Sequence, residues 1–600
     1  MLRRLVLVSS SVVLVAGSSA AWSGAADAGS HAPVPRGSTC ASGAPTLSQP
    51  GGHVYPEMGN GGYLTMRTTV GLVYDTPSDR FLRGNHVSDL NVATQCLTDF
   101  SMDFERRSPD HVAGPDLTVR SVTVNGKPAT WRFVQPTYPG DPNGQNDPDP
   151  KAHEASQVNP VGGPLANPLP PACTPEVTGS DVNAQDGQPC PANKLVITPP
   201  APIQKGRRFH VRIAYTGRPG VHLDGDGSTE GWFRSVQPKG DGGFVTTEPV
   251  GTEDWMPLNN YPSIKPDYVF RETVNKSRTA IANGRLVSVR RHRPDHRFPH
   301  GSRTFHWVSG APVANYLVES SIGHYDLTSH VGRHGIRYYE AQASSLSPAR
   351  KKANLKVMRK QQDITDFQSR FNGPFPFRTD GVVIGTPPAS FEEEMQTMIT
   401  FAGGRIDLDT FNHENMHQWW GDHVTEHSFS MTFFKEGMAT VGEYLFHARQ
   451  AAAAAGGVHA AAGRKAFQQS LTETFDQNYA STSLWTFAPS DPTPARLFSG
   501  SSTYTRPGTA YLALRQVLGH GRFDRALRRI QRDYGGSSIT EPQLEAEFTH
   551  FLPRDTQACR QRLGDFFTQW FDTAYSAGQK PSITGPGLDG PDFYGGACTH

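Results

Sequence analysis

Between Leu64 and about Ser329, apolar and polar residues tend to alternate, the period-two pattern of strands with one buried face. Leu117 to Val124 reads Leu-Thr-Val-Arg-Ser-Val-Thr-Val and runs into Asn125-Gly126, a hairpin turn signal. Lys194 to Thr198 and Phe209 to Tyr215 predict two further strands. Residues 136–193, between the first strand and these two, are crowded with Pro, Gly, Asn and Asp and have no apolar period, so they predict a surface insertion. After Gly332 the period changes. One strand, Ile336 to Glu340, leads into helical spacing from about Pro348 to Phe371, and helical spacing then dominates from Leu408 to Tyr575. The chain shows no internal repeat. The expected architecture is α+β and multidomain: a β-rich N-terminal domain over 29–332, a mainly helical domain over 333–582 and a tail over 583–600.

Composition narrows the class. Six hundred residues exceed one ordinary core and predict roughly two to four domains. A hydrophobic share of 36% and a formal net charge of +1 describe a soluble globular chain, without the basic excess of a nucleic-acid partner. Residues 1–28 read as an export signal: Arg3 and Arg4, a short apolar run from Leu5 to Gly17, then small residues with cleavage near Ala21 or at Ala26-Asp27-Ala28. The general and twin-arginine routes both fit. That run is too short to span a bilayer and no later segment is long and apolar enough, so the expectation is a secreted protein without stable membrane insertion. The cysteines are even in number and contain no C-x-x-C pair, which favours disulfides in an oxidising compartment over a zinc–thiolate site. Pairing of sequence neighbours predicts Cys40–Cys96, Cys173–Cys190 and Cys559–Cys598; free buried thiols are the alternative.

The chemistry concentrates at His413-Glu-Asn-Met-His417, an H-E-x-x-H pattern. On a helix, residues four apart share a face, so His413 and His417 can hold one metal ion while Glu414 reaches its water. Catalytic zinc needs a third protein ligand, and Glu436, eighteen residues beyond His417 in Phe434-Lys-Glu-Gly-Met-Ala439, is placed to supply it. His423 and His427 are also four apart, but no Glu follows the first, and they read as bystanders.

The segment from His413 to Ala439 resembles the gluzincin aminopeptidase family (peptidase family M-one), that of alanyl aminopeptidases and leukotriene hydrolase. Three other segments match it in order: Phe244-Val-Thr-Thr-Glu-Pro249 with Trp255 to Pro262, Phe391-Glu-Glu-Glu-Met-Gln-Thr397, and Thr503-Tyr-Thr-Arg-Pro-Gly508. The resemblance runs from about residue 60 to 582. It implies a β-sandwich or saddle domain followed by a thermolysin-like zinc metallopeptidase domain ending near Phe566 to Phe571. With about thirty residues left, the helical-repeat domain of many relatives is expected to be absent.

The resemblance further implies one zinc per chain and peptide substrates. Metal-bound water would attack the peptide carbonyl, Glu414 would carry its proton, and Tyr504 would donate to the developing oxyanion. Glu394 and Glu248 would anchor a free amino terminus. Two departures stand out: Pro507 is an extra residue between Arg506 and Gly508, and Phe391-Glu392-Glu393 replaces the family's small, glycine-containing approach to its Glu. The alternatives are a core tyrosine at 504 and a solvated acidic run at 392–394. Met416, Trp419 and Trp420 read as core, Glu443 as a support for the metal site or a surface acid, and Asp224-Gly-Asp-Gly227 as a turn. Three functions follow: an aminopeptidase, a zinc hydrolase of other specificity such as an endopeptidase or epoxide-opening enzyme, and a catalytically dead binding protein.

Overall fold

The computed structural model describes residues 40, 54–55, 58–106, 117–134, 194–223, 228–234, 242–389, 391–493, 496–595 and 598. The leader, the 136–193 insertion with Cys173 and Cys190, and Asp224–Gly227 lie outside the described residues. A β-rich N-terminal region precedes a mainly helical one, an α+β arrangement.

In the first region, alternation builds the sheet. Tyr63–Gly71, His86–Ala93, Asp267–Asn275 and Arg208–Gly217 each bury every second side chain over most of their length. Their inward residues, among them Tyr63, Val87, Phe209, Ile213 and Phe270, fill one core. The sheet has ten strands, with Leu117–Val124 pairing antiparallel to Arg208–Gly217 and Arg285–His292 forming one edge. The strand predicted from Ile336 starts one residue later, as Arg337–Ala343, which pairs with Tyr325–Val331 on one side and parallel to Thr379–Ile384 on the other. This second, four-stranded sheet therefore begins upstream of residue 332, where the change of period divides the chain, because the hairpin bridges that point.

The helical region buries its own core around Trp419, Trp420, Phe434, Tyr511 and Trp570. The predicted helical stretch 348–371 is two helices, Pro348–Met358 and Gln361–Asn372. The residues after 582 pack into this core through Ile583, Phe593 and Tyr594, and Cys598 bonds Cys559. Cys40 bonds Cys96, so both neighbour pairings that fall on described residues form. Among the described residues, no helix is long and apolar enough to cross a membrane.

Two glycines set the spacing of the elements that matter next. A Cβ at Gly442 would lie 2.9 Å from the Met416 Cβ, and one at Gly437 would lie 2.5 Å from the Pro507 Cβ. Bare glycine lets the helix Thr432–Ala454 approach both the helix Leu408–His417 and the start of the helix Arg506–Leu518. Lys265 ties the β region to the turn after His417, donating from Nζ to the Asp422 carbonyl and to Thr425 Oγ1, each at 2.6 Å.

Candidate metal centre

The helix Leu408–His417 starts at Asp407, whose carboxylate accepts the Thr410 backbone N–H at 3.0 Å and satisfies an otherwise unpaired donor. His413 and His417 then stand one turn apart on the face that meets the helix carrying Glu436. Three donor atoms converge there: His413 Nε2 is 3.1 Å from His417 Nε2 and 3.2 Å from Glu436 Oε2, and His417 Nε2 is 3.3 Å from that same oxygen.

The outer ring nitrogens show what those atoms are. His417 Nδ1 lies 2.9 Å from the Trp420 carbonyl, which only accepts, so Nδ1 carries the hydrogen and Nε2 presents a lone pair. His413 Nδ1 lies 2.6 Å from Glu443 Oε1 and donates in the same way. In their neutral forms the two imidazoles turn Nε2 lone pairs, together with a carboxylate oxygen of Glu436, onto one point, the donor set that a cation takes. Ligands at zinc distance in a tetrahedral array are about 3.3 Å apart, which matches this triangle. His413, His417 and Glu436 therefore fit a zinc ion.

All seven residues singled out in the sequence line one cavity of ≈ 170 Å³, walled also by Phe391 and Phe498. Glu414 lies beside the triangle: its carboxylate, that of Glu394 and a ring nitrogen of His417 all fall within 4.8 Å of one another. Burial pushes the Glu414 carboxyl well above the usual range; the charge of His413 opposes this and those of Glu394 and Glu436 add to it.

Tyr504 sits in a π-helical turn, Gly500–Thr505, that leads into the helix Arg506–Leu518. A π-helical turn holds one residue more than an α-turn, which accommodates the surplus Pro507 at the start of the following helix. The Tyr504 ring is 5.8 Å from the His413 ring. Burial and the charges of Glu436 and Glu248 raise the Tyr504 phenol well above its usual value, so it stays protonated and able to donate.

The three glutamates at 392–394 are not a solvated run. Glu393 is fully buried and accepts the Thr247 backbone N–H at 2.9 Å, which fastens the segment before Glu248. Glu394 is buried and held by Gln418, whose side chain donates to the Glu394 carbonyl at 2.9 Å and accepts the Thr397 N–H at 2.8 Å. Glu248, Glu394 and Glu436 present oxygens within 4.8 Å of one another.

Sequence reasoning missed Lys435. Its ammonium is fully buried and lies 2.5 Å from Glu248 Oε1, 2.8 Å from Glu394 Oε1 and 2.5 Å from Glu436 Oε1. Burial works against its charge, but the three carboxylates outweigh it and raise the Lys435 pKa well above the usual lysine value. A lysine directly before the candidate ligand Glu436, on a helix opened by Phe433 and Phe434, was the available signal. His423 and His427 lie apart from the triangle, their Nδ1 atoms bonded to Gln531 at 2.8 Å and Ser538 at 3.2 Å. Met416, Trp419 and Trp420 are core.

Residues 405–570 match the pattern of the peptidase family M1 domain. The chain is similar to a family M1 zinc metallopeptidase of Deinococcus radiodurans, solved as a glutamate-to-alanine variant bound to a Tyr-Ser-Ala substrate. Identity is 18% over 89% of this chain and 99% of that one, with a TM-score of 0.64. Another structure of an M1 zinc metallopeptidase from that organism gives 18% identity, 89% and 100% coverage and a TM-score of 0.63. At that identity the likeness establishes the fold. A comparison with curated protein sequences finds no match.

Proposed function

We propose that the chain, whose residues 405–570 match the peptidase family M1 domain, is a secreted zinc aminopeptidase, binding one zinc and releasing residues from the amino end of peptides. The observation that carries the zinc reading is the inward-facing triangle of His413, His417 and Glu436, locked in that tautomeric state by Glu443 and the Trp420 carbonyl. Bound zinc would supply a Lewis acid and lower the pKa of a water toward about 7.

The protein's own groups do the rest. Glu414 takes the proton from the attacking water and returns it to the leaving amine; its buried, acid-rich setting raises its affinity for a proton. The Tyr504 hydroxyl donates to the oxygen that gains charge as the carbonyl becomes tetrahedral. Glu248 and Glu394 receive the substrate ammonium. Lys435 pairs with both carboxylates, so a substrate amine shares them with its ammonium. Gln418 and the Glu393–Thr247 contact hold that pair in place. Export is supported by the leader pattern and by the two disulfides.

The second reading, a zinc hydrolase of other specificity, is favoured by the same Lys435, since its ammonium already touches both candidate anchors. Matched peptides with free and N-acetylated termini separate the two. Stepwise loss of residues from free peptides, with acetylated ones resistant, supports the aminopeptidase; internal cleavage of acetylated peptides at comparable rates supports the other.

A further inference from the structure

The outward face of the large sheet carries a charge that the metal centre does not use. Its long strands lie in the order Arg285–His292, Ser302–Pro312, Asp267–Asn275, Tyr63–Gly71, His86–Ala93, Arg208–Gly217 and Leu117–Val124. Alternation turns Tyr268, Phe270, Val87 and Phe209 into the core and leaves the residues between them facing out. Those outward positions hold Arg67, Arg120, Arg208, Arg212, Arg271, Arg285 and Arg290, all exposed, with no lysine among them. One acid stands against them, Asp267, 3.7 Å from Arg67. Seven arginines less one aspartate leave +6 on a face of a chain whose formal charge is +1, so the remainder of the chain carries −5. Among the described residues, Arg208, Arg212, Arg271, Arg285 and Arg290 have no carboxylate within ion-pair distance. Their fields overlap: burial, together with the charges of Arg212 and Arg271, lowers the pKa of the His86 imidazole between them, against a hydrogen bond to the Gly84 carbonyl that raises it.

We propose that this face binds a flexible, linear, phosphate-bearing polymer. Guanidinium forks grip phosphate oxygens two at a time, which a lysine ammonium does not, and the face uses arginine throughout. Twist argues against a lipid surface. Adjacent strands rotate by about 20°, so across six strand intervals the outermost arginines diverge by roughly 120°; a plane meets only part of such a face, whereas a flexible chain follows it. A folded protein partner needs an apolar centre, yet the exposed large apolar residues of this face are two, Leu64 and Met66, beside Arg67 on the central strand, too few to form one.

The test uses the full protein with long-chain inorganic polyphosphate, poly-glutamate and vesicles rich in anionic lipid. The expected result is polyphosphate binding that weakens steeply with salt, as counterion release requires, and falls at least tenfold in an Arg212→Ser/Arg271→Ser/Arg290→Ser variant. The variant's hydrolysis of a small aminoacyl substrate should be unchanged, since none of these residues lines the metal cavity. Salt-insensitive binding, equal binding by the variant, or absence of binding at low salt overturns the proposal. So does tighter binding to vesicles or to poly-glutamate than to polyphosphate.

Discussion

Glu443 accepts the Nδ1 hydrogen of His413 at 2.6 Å from a position two helical turns beyond Glu436. One helix thus carries both a proposed metal ligand, Glu436, and the group that orients another, His413. Removing such a partner typically weakens metal affinity about 10–100-fold. Glu443→Ala should therefore lose zinc to a chelator at that much lower concentration while keeping the fold. Unchanged zinc affinity would make Glu443 only a surface acid.

Much of this site was legible in the chain because its signals are local. The four-residue spacing of His413 and His417 and the distance to Glu436 follow from helix geometry, and the period changes marked the strands and helices. What stayed hidden depends on contacts between distant segments. Lys435 looks like any helix lysine until Glu248 and Glu394, 187 and 41 residues upstream, close over it. Whether the acidic run at 392–394 is an anchor or the solvated alternative could not be read locally, because its burial comes from contacts with Thr247 and Gln418. The hairpin across residue 332 was masked because its strand Tyr325–Val331 is largely exposed and lacks a clean apolar alternation.

Tyr504→Phe removes one hydroxyl from the cavity without changing the ring. If that hydroxyl stabilises the oxyanion, kcat should fall by the equivalent of about 2.7–4 kcal/mol, with a much smaller change in KM. Steady-state kinetics on one peptide decides it, and near-normal turnover would assign Tyr504 to packing.

Glu394→Gln keeps the shape of the anchor and removes its charge. Free-amine peptides should show a higher KM, and the ratio of free to N-acetylated cleavage should narrow. An unchanged ratio would remove Glu394 from amine recognition.

Asp89 gives the N-terminal region a pH dependence of its own. Burial lifts its pKa to about 7, partly offset by the hydrogen bond from Thr68 at 2.8 Å. The unfolded group titrates near about 4, so the folded state holds the extra proton between those values. Its contribution is present in full below about 4 and is lost as the pH rises to about 7. Asp89→Asn, neutral throughout, should flatten the decline in Tm over that window and leave the protein at least as stable at pH 8. A steeper decline in the variant would contradict the assignment.

The central claim is that His413, His417 and Glu436 hold zinc while Glu414 moves the proton, and Glu414→Gln tests it most directly. Zinc content per chain and kcat are measured together on this variant, beside Glu436→Ala. The account predicts one zinc per chain and a kcat at least a hundredfold lower in Glu414→Gln, with zinc and activity both lost in Glu436→Ala. A Glu414→Gln protein with full zinc and undiminished turnover would contradict it.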